Sequence, residues 1–215
     1  MRFILTFLIF VMVSVSSFAD YTLVVFGDSL SNGHRLPKSD AFYTQLEGTL
    51  KSKGYSVRVL NASKSGETTA GGVRKVDALL SQKPDGVILE LGVNDSFRNT
   101  PISAIKGNLQ SLIDTFKDHQ IPVLLVGMKT TPNKSATYQG QFEEMYRELA
   151  DENNLILYPF FMDGIFDVSD MNFGQQNDYL IPKDIHPNAQ GVAVMVRGIL
   201  PTVERFLIEQ GIFPQ

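Results

Sequence analysis

YTLVVFGDSLSNG, residues 21–33, runs from a compact apolar segment straight into a glycine, a carboxylate and a hydroxyl. Thr22–Phe26 reads as a short strand, and Gly27 permits a tight backbone at its carboxyl edge. Ser29 then stands in the turn after the strand. Two readings are open here. Spacing alone favours a turn or N-cap serine, whereas a hydroxyl at that edge, with a helix following directly, could serve as a nucleophile.

Outward from this stretch, short β-branched runs alternate with longer amphipathic ones. Further strands are expected at Ser56–Leu60, Gly86–Leu91, Ile121–Gly127 and Leu155–Leu157. Helical patterns lie near Asp40–Lys53, Thr69–Gln82, Pro101–Lys117, Tyr138–Asn153 and Asn188–Glu209. In the third, Thr100 is the expected N-cap and Pro101 suits the first helical position. Ile102, Ile105, Leu109, Leu112 and Ile113 supply its apolar stripe. Strand, helix and strand repeated in this way imply parallel strands with right-handed crossovers, hence a single three-layer α/β/α sandwich. Ligand sites in such sheets lie beyond the carboxyl ends of the strands, where the unpatterned segments Lys129–Thr137 and Asp163–Lys183 are expected to gather.

The first 19 residues stand apart. Arg2 precedes an apolar stretch from Phe3 to Val15, and Ser17 and Ala19 give a small-x-small exit. That pattern describes a secretory signal peptide over residues 1–19, with the folded domain at 20–215. A membrane anchor is the competing reading, but the apolar run falls short of the roughly 20 residues a bilayer span needs. The chain has 215 residues, 43% hydrophobic, with a net charge of −4. Removing Arg2 would make the remainder one unit more acidic, so no electrostatic footprint for nucleic acid or anionic membrane is present. The absence of cysteine excludes disulfides and thiolate chemistry.

Three later blocks bear on Ser29. In NASKSGETTAGG, Gly66 is either a plain turn glycine or one whose backbone N–H points into a cleft. In GVILELGVNDSFRNTP, Asn94 follows a strong strand, so its amide is either an oxyanion donor or an Asx-turn group. Asp95 is expected to cap or brace the turn that follows. In PKDIHPNAQG, Pro187 stiffens the loop at His186, and Asp184 lies two residues earlier. A fixed histidine with a carboxylate nearby is the base-plus-orienter half of a hydrolytic triad. The other two histidines, His34 and His119, sit in polar surroundings and read as surface residues. No multi-ligand histidine or cysteine cluster is evident, so neither metal nor cofactor is expected.

With Ser29, Gly66, Asn94 and His186 in four separate blocks, the sequence resembles the SGNH hydrolases, also called the GDSL family. FGDSLSNG, NASKSGETT, ELGVNDS and DIHPN match the four blocks in order. PFFM and the arginine of ELGVNDSFR are most similar to the branch of periplasmic bacterial acyl-thioesterases that also act as lysophospholipases and arylesterases. The resemblance implies a flavodoxin-like sandwich of five parallel strands in the order 2-1-3-4-5. It implies Ser29 as nucleophile and His186 as base. The Ser29 N–H, Gly66 and Asn94 become the oxyanion donors. One departure stands out: the family spaces its last block Asp-x-x-His, and that position here is Lys183. A one-residue deletion with a rearranged loop would let Asp184 serve; otherwise a backbone carbonyl or water holds His186.

The residues and the resemblance together point to an exported serine esterase, periplasmic or secreted and without a stable membrane anchor, acting on small-molecule fatty acyl esters, acyl-CoA thioesters and lysophospholipids, and a monomer is expected. The apolar YPFFMDGIF, with Phe160, Phe161, Met162, Ile165 and Phe166, would either line an acyl groove or fill the core. A carbohydrate acetyl-esterase is the rival within hydrolases. A flavodoxin-like binding protein that has lost turnover is the rival outside them.

Overall fold

Seven residues, Tyr21–Gly27, form strand β1, and every one after Tyr21 is buried. The computed structural model describes residues 20–166 and 178–215, so the expected signal peptide and most of the Asp163–Lys183 segment lie outside the described residues. Four more strands follow: β2 (Val57–Asn61), β3 (Gly86–Glu90), β4 (Val123–Val126) and β5 (Ile156–Tyr158). All pair in parallel, in the order β2-β1-β3-β4-β5 that the resemblance implied.

The order fixes where chemistry gathers. β1 pairs with β2 on one side and with β3 on the other, so the crossovers reverse direction at β1 and a crevice opens beyond its carboxyl end. Into that crevice point the turn after β1, with α1 (Ser29–Asn32), and the turn after β3, with α5 (Val93–Phe97). Between them lie α2 (Phe42–Ser52), α3 (Thr69–Val73) and α4 (Val76–Leu80). The long helices α6 (Ile102–Asp118), α7 (Ala136–Asn153) and α8 (Ala189–Glu209) complete the chain. α2 packs on α8, while α3 and α7 both pack on α6. Right-handed winding puts the two groups on opposite faces of the sheet.

Side-chain packing explains the layers. Phe26 meets Phe116 of α6 edge to face at 6.4 Å, and Phe42 of α2 meets Phe161 at 4.8 Å. Burying each such ring contributes roughly 1.5–3 kcal/mol. Of the apolar stripe expected on α6, Ile105, Leu109, Leu112 and Ile113 are buried and Ile102 is half-buried against the core, with Phe116 extending the stripe.

Two local expectations are corrected, and one left open is decided. The helix read over 69–82 is two short ones that meet at Arg74–Lys75, shortly after the Gly71–Gly72 pair, whose helix propensity is weak. Thr100 does not cap α6: Pro101 is the N-cap and carries no capping side chain. The Thr100 carbonyl instead accepts from Tyr138 Oη. All five apolar residues of 160–166 are buried, and only Met162 also lines the cavity described below, so this loop is chiefly core.

Candidate active site

Ser29 opens α1 directly after Asp28, whose side chain caps the turn by accepting from the Leu30 N–H at 3.0 Å. This turn is tight because β3 passes close by. A Cβ on Gly27 would strike Glu90 Oε2, Ser31 Oγ and the Glu90 carbonyl, so only glycine fits. Ser29 is 9% exposed, and its Oγ lies 2.8 Å from His186 Nε2. His186 Nδ1 lies 2.6 Å from Asp184 Oδ1. Hydroxyl, imidazole and carboxylate therefore stand in one hydrogen-bonded line.

Local sequence explains how Asp184 arrives there without the usual spacing. The Asp184 N–H donates to the Ile181 carbonyl at 3.0 Å, closing a β-turn with Pro182 and Lys183 at its corners. Lys183 takes φ +62, the positive value that a type II turn with proline before it demands. The Ile181 N–H bonds the His186 carbonyl, and Leu180 bridges Pro187, so the turn is clamped at its base. Asn188 then caps α8 through the N–H groups of Gln190 and Gly191. Asp184 Oδ1 also accepts from the Ile185 N–H at 2.8 Å, and Oδ2 accepts from Arg35 Nη1 at 3.0 Å. Burial opposes ionisation of this carboxyl. The bonds from His186 and the two backbone N–H groups outweigh burial and hold its pKa below the ordinary value.

Gly66 sits in the Lys64–Glu67 turn with φ +77, a conformation other residues rarely adopt, although space beside it is open. Its carbonyl accepts from Arg98 Nη2 at 3.2 Å. Asn94 lies in α5 and donates from Nδ2 to Asp28 Oδ2 at 2.9 Å. That bond uses one of the two amide protons and leaves the other for a ligand. Ser29, Gly66, Asn94 and His186 all line one cavity of about 310 Å³. Leu30, Val93, Phe97, Met128, Met162 and Ile185 make the rest of its wall largely apolar.

Four residues were not foreseen. Asp28 anchors Asn94. Glu90, fully buried at the end of β3, accepts from Ser31 Oγ at 2.7 Å and from the Asp28 N–H at 3.2 Å. Its Oε1 has no hydrogen-bond partner among the described residues. Burial pushes the Asp28 pKa up to about 7 against the bonds from Leu30 and Asn94. Burial and then the Asp28 charge push Glu90 well above the carboxylate range. A carboxylate closing an otherwise apolar strand was the signal in the sequence. His34 is not a free surface residue: it lines the cavity, and its ring lies 4.2 Å from that of His186. Arg35 beside it holds Asp184. Asp95 does not brace its own turn through its side chain, which reaches α3 and accepts from both the Thr69 N–H and Oγ1 at 2.8 Å. His119 is exposed, with Nδ1 near the Thr115 carbonyl, as a surface residue would be.

A hydroxyl backed by an imidazole and a carboxylate, at the carboxyl edge of a parallel sheet and facing possible oxyanion donors, is the arrangement of a serine hydrolase. The model of the GDSL-like lipase/acylhydrolase family matches residues 25–194. The chain belongs to that family and is a hydrolase. It is 34% identical to an arylesterase of Vibrio mimicus, over 87% of this chain and 90% of the relative. It is also 34% identical to esterase TesA of Pseudomonas aeruginosa, over 88% and 90%. Among solved structures, an esterase EstA from a Pseudoalteromonas species, inhibited by monoethylphosphonate, superposes with a TM-score of 0.78 at 26% identity, covering 87% of this chain and 99% of its own. Among the described residues no helix is long and apolar enough to cross a membrane.

Proposed function

We propose that this hydrolase cleaves carboxylic esters and thioesters of apolar acyl groups through an acyl-enzyme on Ser29. The observation that carries this reading is the Ser29–His186–Asp184 line opening into an apolar cavity. His186 Nε2 accepts the Ser29 proton as Oγ attacks the acyl carbonyl. Asp184 holds the other ring nitrogen and stabilises the imidazolium that forms. The free Asn94 amide proton, the Gly66 N–H and the Ser29 N–H receive the developing oxyanion. His186 then protonates the departing alcohol or thiol. Water, activated by the same imidazole, attacks the acyl-enzyme and releases the acid.

The acyl class follows from the wall. Leu30, Val93, Met128 and Met162 offer dispersion contacts and few polar partners, which suits a hydrocarbon chain better than a sugar. The names of the relatives, arylesterase and, in Escherichia coli, thioesterase 1/protease 1/lysophospholipase L1, support the same range of substrates. Export belongs to the proposal on the pattern of residues 1–19, as does action by a single chain, since every group invoked comes from one copy. Hydrolysis of p-nitrophenyl esters from acetyl to dodecanoyl tests the reading. A rising kcat/KM into the longer chains supports it, and a preference for acetyl would favour a carbohydrate acetyl-esterase.

A further inference from the structure

His34 stands at the rim of the site. It follows Gly33, which ends α1 at φ +76, and occupies the corner of the Gly33–Leu36 turn. The side chain is 34% exposed, and its Nε2 lies 3.9 Å from Asp184 Oδ2. One ligand atom from each of His34, Asp184 and His186 lies within 4.8 Å of the other two. A tetrahedral zinc ion with bonds of about 2.1 Å needs its ligand atoms about 3.4 Å apart. Rotation of one imidazole on a turn corner covers the difference, and water would complete the shell.

We propose that His34, Asp184 and His186 form a site for a borderline-soft divalent cation, zinc above all, whose occupancy switches the enzyme off. The inhibitory half of this inference rests on the proposed function. Both nitrogens of His186 are engaged, Nε2 by Ser29 and Nδ1 by Asp184, so a metal on either one breaks the line. Two imidazoles and one carboxylate are a zinc donor set. Magnesium and calcium, which prefer larger all-oxygen shells, find no such shell here. Arg35 is the built-in competitor. Its guanidinium sits 3.0 Å from the Asp184 oxygen that faces His34, and it is 63% exposed, free to swing into water when the metal enters.

The two neighbouring residues therefore have opposite effects, and the test uses both. Zinc chloride is titrated into p-nitrophenyl butyrate assays of wild type, His34→Ala and Arg35→Ala, each normalised to its own metal-free rate. Wild type should be inhibited in the micromolar range, reversibly by chelator, and not by magnesium. His34→Ala should need at least about tenfold more zinc, and Arg35→Ala should need less. Equal sensitivity of wild type and His34→Ala would overturn the site, and no inhibition at millimolar zinc would overturn the switch. Calorimetry with zinc on Ser29→Ala separates this from the catalytic reading. One ion per chain, lost in Ser29→Ala/His34→Ala, supports the site whatever Ser29 does. Binding without inhibition of wild type would overturn the switch.

Discussion

Glu90→Gln is the sharpest probe of how the turn beneath Ser29 is built. Glu90 and Asp28 are both fully buried, and a carboxylate oxygen of Glu90 touches the Asp28 backbone N–H. Burial first, and the Asp28 charge second, raise the Glu90 pKa, so the folded protein keeps a proton that the unfolded chain releases. A raised carboxyl pKa makes stability greatest below the unfolded value and lowers it as pH climbs toward the folded one. The ordinary glutamate value is 4.5, so the loss starts there. Within this window each pH unit costs up to about 1.4 kcal/mol for the one group. Glutamine keeps the acceptor for Ser31 and the Asp28 N–H but has no proton to lose. Urea unfolding of both proteins at pH 5, 6 and 7 reads the effect as a difference in slope. The variant should gain on wild type as pH rises above 4.5, by at most about 1.4 kcal/mol per pH unit. Any fixed penalty for the new amide, about 1–3 kcal/mol if its N–H groups go unpaired, shifts both ends equally and leaves that slope intact. Parallel stability–pH curves for the two proteins would show that Glu90 carries no raised pKa in the fold.

Lys183 takes φ +62 to bring Asp184 to His186, so Lys183→Val should cost about 1–3 kcal/mol in thermal unfolding and lower kcat, while Lys183→Gly keeps both near wild type. Equal behaviour of the two variants would contradict the turn assigned to Ile181–Asp184. Asn94→Ala removes a proposed oxyanion donor and should reduce kcat by about 10²–10³ with KM little changed. A change confined to KM would assign Asn94 to substrate binding instead.

Periodicity carried most of the fold. Gly86–Glu90 and the stripe of α6 are buried as their patterns require, and the sheet order followed once the four blocks were recognised. What the pattern hid was set by tertiary packing. Gly72, just before the break between α3 and α4, packs closely beside Leu91 and Leu112, a contact that its low helix propensity does not encode. Asp95 bonds Thr69 from 26 residues away, and Arg35 reaches Asp184 across 149. His34 looked polar and peripheral for the same reason, since the residues that surround it come from the far end of the chain. Asp184 is the instructive case: spacing alone left its role open. The turn at Pro182–Lys183 supplies the geometry that the shortened block lacks.

Covalent labelling decides whether Ser29 is the nucleophile. The folded protein is incubated with a fluorophosphonate, digested and mapped by mass spectrometry while residual esterase activity is followed. A single adduct on Ser29, accumulating in step with the loss of activity and absent from His186→Ala, is the predicted result. Full inactivation with the adduct elsewhere, or an unlabelled Ser29 in an inhibited enzyme, would contradict it.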